Sequence, residues 1–169
     1  MKNFQHFRGV ITMINDFWID ESEKNTGCYN LMSVANGYGD LVNFVVQPTT
    51  YFVDHVMLTP GDIVTGFYDA NAATVLIFPP QFTAIVMATD SLYQNVKVDY
   101  FNNNLISSDN NLNLNIAPWT QIVLENGQLF TKSPTNRNLI VVYGATTMSI
   151  PAQTSPYKII DRKSTRLNS

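Results

Sequence analysis

The feature that most constrains this chain is the spacing of its apolar residues. No window of eleven or more keeps the three-and-four rhythm of an amphipathic helix, while short runs alternating apolar with polar, closed by turn residues, recur throughout. The expectation is an all-β fold. FRGVITMI (residues 7–14) reads as a first strand, with Gly9 at a bulge or bend. CYNLMSV (28–34) and LVNFVVQ (41–47) read as a hairpin around Asn36-Gly37, because Asn-Gly supplies the positive φ angles a tight turn needs. DIVTGFY (62–68) follows the turn Thr59-Pro60-Gly61, and FTAIVMA (82–88) is a fifth strand.

The second half repeats this plan in shortened form. Residues 46–53 align with 116–123, sharing the Pro, the Thr and the closing Val; 63–67 align with 139–143; Pro80 precedes a last strand as Pro156 does. NVKVDYF (95–101) opens the second unit, and LNLNI turns Leu112, Leu114 and Ile116 inward with Asn113 and Asn115 outward. Asn126-Gly127 marks another tight turn. The expected architecture is two tandem small Greek-key β-barrels of the oligonucleotide/oligosaccharide-binding (OB-like) type, residues 1–91 and 92–160. A two-sheet β-sandwich is the alternative.

The last nine residues, DRKSTRLNS, match the in-frame translation of a sequencing adapter, so 161–169 are expected to be read-through outside the native fold. Removing their three cations and one acid leaves seven Lys and Arg against twelve Asp and Glu. No Lys or Arg lies between Lys24 and Lys97, which gives a phosphate backbone little to hold. With 45% hydrophobic and 14% charged residues the chain has the balance of a folded protein rather than a disordered one. No run approaches the length of a membrane span and the first residues lack a secretory signal, so the expected location is cytoplasmic, or surface or secreted if the native start lies upstream.

Chemistry finds little purchase. Cys28 is the only cysteine and is expected to be a buried strand residue; His6 and His55 are the only histidines and share no ligand spacing. Asp16, Asp20, Glu21 and Glu23 gather in one connection but lack the alternation and central Gly of a calcium loop. The Gly-x-Gly of NGYGDL precedes a strand where a phosphate site needs a helix. Neither a catalytic residue nor a metal or other cofactor site is therefore assigned.

The segment GDIVTGFYDANAATVLIFPPQF (61–82) leaves a question open. Gly66 sits where a side chain would crowd a bend, and Asp69, Ala70 and Asn71 suit a structural corner. Alternatively Tyr68, Asp69, Asn71, Phe78 and Phe82 line an interaction rim at the barrel mouth, with residues 150–156 as the repeat's counterpart.

The runs GFYDANA, FPPQF and IPAQTSP carry a resemblance. Over residues 4–160 the chain is similar to a bacterial family of β-rich proteins found mainly in anaerobic clostridia. Related segments of that family accompany copper amine oxidase N-terminal-like domains in some surface proteins. The resemblance implies no activity, cofactor or catalytic residue. The expected function is non-enzymatic: binding of a protein partner or self-association, with a glycan or single-stranded nucleic acid in a barrel groove as the alternative and an enzyme of unrecognised type as a third reading. Among these, nucleic acid is disfavoured by charge, and no membrane partner is expected.

Overall fold

The structure, a computed structural model, describes residues 2–17 and 27–162. Among these the regular elements are strands, apart from one 3-10 turn at Val53–His55. The chain divides into two compact units between Asp90 and Ser91. No helix among the described residues is long and apolar enough to cross a membrane.

The first unit contains β1 (Phe4–Asp16), β2 (Asn30–Ala35), β3 (Leu41–Val46), β4 (Tyr51–Phe52), β5 (Ile63–Asp69), β6 (Gln81–Thr83) and β7 (Val86–Thr89). The Asn36 turn joins β2 to β3 as expected: Gly37 and Gly39 take φ of 81° and 94°, and Asn36 Oδ1 accepts from the N–H of Tyr38 at 2.8 Å. β1 serves two partners, with residues 4–10 lying against β5 and 10–16 against β2. The irregularity comes between Ile11 and Met13, so the bulge falls at Thr12 rather than Gly9. Gly9 has a different duty, since a Cβ there would run into the Ala35 carbonyl.

The sheet order is β4-β7-β5-β1-β2-β3-β6. Only Ala84 and Ile85 separate β6 from β7, so one segment pairs with β3 at its start and with β5 at its end. At this hand-over the Ala84 N–H still donates to Val45 O (2.9 Å), and the Ile85 N–H already donates to Phe67 O (2.8 Å). Thr50 secures the step: its Oγ1 donates to Ala84 O at 2.7 Å and accepts from the Gln47 N–H at 3.0 Å. Inside lie Ile11, Met32, Val34, Phe44, Val64 and Met87, all nearly free of solvent contact.

The second unit contains β8 (Asn95–Phe101), β9 (Leu112–Leu114), β10 (Gln121–Leu124), β11 (Arg137–Tyr143), β12 (Ala152–Thr154) and β13 (Lys158–Asp161). Part of its pairing matches the first unit: β11 is antiparallel to β8 and β13, β10 is parallel to β13, and β9 is parallel to β12, although β9 and β12 form a separate pair and among the described residues no strand takes the place of β2. Thr120 repeats the role of Thr50, donating to Pro156 O at 2.7 Å and accepting from Ala117 N–H at 3.1 Å. Tyr157 N–H donates to Val142 O as Ile85 N–H does to Phe67 O. By these hydrogen bonds residues 46–53 take places like those of 116–123, whereas two other expected matches fall elsewhere. Phe67 corresponds to Val142, not Tyr143, and Pro80 to Ala152, not Pro156. A one-residue slip matters because it reverses which face each side chain occupies.

Two further expectations change. Ile116 lies past the end of β9 and is exposed. Cys28 is exposed in the turn before β2. β13 continues through Asp161, which pairs with Leu139; Arg162 N–H donates to Asn138 O and its guanidinium meets Glu125 at 2.8 Å. The ladder thus has places for residues 161 and 162, while the rest of the tail lies outside the described residues.

The corrected equivalence exposes a volume exchange. Phe44 and Gly66 in the first core correspond to Leu114 and Val141 in the second. A Cβ on Gly66 would meet the Phe44 ring at 2.6 Å, so the large ring requires the absent side chain. Gly66→Val alone should cost about 1–3 kcal/mol through overpacking, and Phe44→Leu alone a comparable amount through a cavity. The double variant, which installs the second unit's pair, should lose less than the sum of the singles by about 1 kcal/mol or more. Urea unfolding of the four proteins measures this, and strict additivity would refute the exchange.

Candidate functional site

The segment between β5 and β6 holds the residues in question, and the structure separates them into three kinds. Asp69 is a corner. Its Oδ1 accepts from the N–H of Asn3 and of Asn71, each at 3.0 Å, while its carbonyl accepts from Ala72 N–H at 3.1 Å. Asn71 is exposed beside it.

Tyr68 and Phe82 form a stacked pair on the first core. Their rings stack in parallel, 3.9 Å apart at 9°, and Tyr68 lies tilted against Phe44 at 6.2 Å. Both are half-buried against the first core. Burial raises the Tyr68 hydroxyl above its ordinary pKa, as expected where a phenolate would lose solvation. Tyr68 and Phe82 thus pack as a pair against the first core, with part of each ring still reaching solvent.

Phe78 is the third kind. It is 85% exposed, and Leu76, which the sequence reading passed over, is 97% exposed. No charged residue lies between Asp69 and Asp90. The corresponding loop between β11 and β12 is three residues shorter but ends in the same manner, with Met148 exposed and Ile150 86% exposed, two residues apart and before a proline. The preceding peptide bonds, Phe78-Pro79 and Ile150-Pro151, are both cis. An apolar, uncharged tip therefore stands at the same place in each unit.

Other candidate groups do not converge. His6 lies on β1 against Phe67 at 5.9 Å, and His55 sits edge-on to Tyr51 at 5.6 Å. Among the described residues no three His, Cys, Asp or Glu side chains come together as a metal site. Of the acidic connection after β1, Asp20, Glu21 and Glu23 lie outside the described residues. Arg8 and Asp90 make a two-pronged ion pair at 2.8 and 3.0 Å, solvent-exposed and so of small energetic weight.

Among the described residues, a polar cluster in the second unit ties a loop to β8 and β9. Ser107 is buried, donating to Asp109 Oδ1 at 2.6 Å and accepting from Leu112 N–H at 3.0 Å. Lys97 Nζ meets Asp109 Oδ2 at 2.6 Å. Burial works against the Asp109 charge, but Lys97, Ser107 and Asn111 N–H together hold its carboxyl below the ordinary value. Asp161 shifts the other way, raised chiefly by burial despite Arg137 at 3.5 Å.

Comparison with family models, with curated proteins and with solved structures finds no match.

Two outcomes follow. Phe82→Ala should lower stability by about 1–3 kcal/mol, because it removes a ring packed on the core and stacked on Tyr68, whereas Phe78→Ser should stay within about 0.5 kcal/mol; equal effects in thermal unfolding would contradict the division. For Asp109 the folded pKa lies below the unfolded one. Its contribution is complete above the unfolded value near about 3.9 and disappears as pH falls through the folded value. Asp109→Asn should therefore flatten the loss of stability below about pH 4, measured as the urea midpoint against pH. An unchanged acid limb would show that the cluster does not couple to folding.

Proposed function

We propose that the protein is a non-enzymatic self-association module. In this reading each unit is a small Greek-key barrel of the OB-like type, and the β5–β6 and β11–β12 loops are its docking elements. Support for the barrel comes from the pairing order: β1, β2, β3, the β6–β7 segment and β5 follow one another and return to β1. A sandwich of two separate sheets has no need of a strand that joins both flanks. A one-segment bridge between β3 and β5 does.

The observation that carries the functional reading is the repeated tip. Leu76 with Phe78, and Met148 with Ile150, expose apolar side chains at equivalent places on loops without a charged residue. Exposed apolar groups that cluster at one feature mark association surfaces, whereas scattered ones do not. A further copy of the chain suits such a surface because its own tips are equally uncharged, so neither side strands a charge on contact.

Sedimentation velocity of the unchanged chain over a wide concentration range tests this, alongside a variant carrying Leu76→Ser, Phe78→Ser, Met148→Ser and Ile150→Ser. The unchanged chain should show a mass that rises with concentration, and the variant should remain a monomer with unaltered thermal stability. A monomer at every concentration in both, or the same association in both, would remove the tips as the docking elements.

A further inference from the structure

The two units share one turn whose surroundings differ, and the difference is chemical rather than architectural. Residues 47–50 and 117–120 form the same turn, closed by Thr50 N–H to Gln47 O at 2.9 Å and by Thr120 N–H to Ala117 O at 3.0 Å, and locked by the same threonine hydroxyl. Its third residue is Thr49 in the first unit and Trp119 in the second. The first unit therefore acts as an internal control: this turn needs no tryptophan. Trp119 is nonetheless 63% exposed.

Two neighbouring replacements run in the same direction. Asn115 occupies the place of the buried Val45, and Tyr157 the place of Ile85. These residues lie on one strip. Asn115 N–H donates to Thr154 O at 2.8 Å, Thr120 Oγ1 to Pro156 O at 2.7 Å, and Gln121 N–H to Tyr157 O at 3.0 Å, so residues 115–121 run alongside 154–157. At one end of the strip Asn115 Nδ2 donates to Gln153 Oε1 at 3.1 Å, an exposed amide pair held in a fixed relation. Beyond it, Tyr157 is partly exposed.

We infer that this strip is a binding site for a neutral sugar chain, with Trp119 as the stacking platform and the Asn115–Gln153 amide pair as the polar contact. A pyranose ring presents an apolar C–H face and a rim of hydroxyls that donate and accept at once. An exposed indole covers the first, and amides, which also donate and accept, match the second. The ligand is neutral because no charged residue occurs in 110–124 or in 138–157; Lys158, at the end of the strip, is the nearest ionised group in sequence. The site uses neither Met148 nor Ile150 and does not rest on self-association, although the backbone of Gln153 is tied to Thr147 of the β11–β12 loop by two hydrogen bonds of 2.9 Å.

The test is calorimetric titration of the full chain with cellohexaose, chitohexaose and laminarihexaose, with dextran sulfate as a charged control, followed by tryptophan fluorescence. At least one neutral hexasaccharide should bind. Trp119→Thr, which installs the residue the first unit uses, should weaken that binding about tenfold or more without moving the melting temperature, and Trp119→Phe should keep it within about threefold. Asn115→Val should weaken it by an intermediate factor. Absence of binding to all three sugars overturns the inference, as does affinity indifferent to Trp119→Thr or binding confined to dextran sulfate.

Discussion

Each unit depends on one strand changing partners without stranding a buried carbonyl. A strand that leaves β3 for β5 must pass through residues belonging to neither ladder, and an unpaired backbone group there costs about 1–3 kcal/mol. The hydroxyl of Thr50 meets that need at Ala84, and Thr120 meets it at Pro156. In each case the same oxygen also accepts the backbone N–H three residues earlier, so the turn before β4 or β10 is fixed by the bond that secures the hand-over. One side chain thereby sets both the register of a parallel pair and the position of the segment that bridges the sheet.

Because the hand-over fixes which residues correspond, the units can be compared position by position. Inside, differences compensate: a phenylalanine over a glycine in one unit becomes a leucine beside a valine in the other. Close packing enforces this, since a protein interior has neither spare volume nor tolerance for voids. Outside, differences do not compensate. Trp119 against Thr49 changes what the surface can contact while the turn and its hydrogen bonds stay the same, and Asn115 presents an exposed amide where the first unit buries Val45. Core exchange therefore reports on packing, and uncompensated surface exchange reports on what each unit meets.

Much of the strand pattern was legible because alternation, Asn-Gly turns and proline carry direct backbone consequences. Gly66 was legible as a crowded position, although its neighbour Phe44 was not, since the contact spans 22 residues of sequence. The second alignment slipped by one because matching Phe67 to Tyr143 pairs two aromatics, whereas the ladders pair positions by backbone geometry. The rim was half legible. Tyr68 and Phe82 are large aromatics such as interfaces use, but the same rings also pack against a core, and sequence alone does not distinguish the two. Leu76 was passed over because the rim was drawn from aromatic and turn-forming residues, whereas exposure of an aliphatic side chain before β6 has no local sequence signal.

The question of corner or working loop resolves into a dependence of one on the other. Asp69 anchors the start of the β5–β6 loop through two backbone N–H groups, and Pro80 O anchors its end by accepting from Asn43 N–H at 2.9 Å. Both anchors use the backbone or the corner carboxylate, and neither uses the side chains of Leu76 or Phe78. Those side chains are thus released from holding the loop in place, and their exposure carries no packing benefit to the unit. A polar residue would serve the fold equally well at either position and would avoid presenting apolar surface to water. The corner makes the loop's shape independent of its tip, and that independence is what leaves the tip available for contact with something outside the unit.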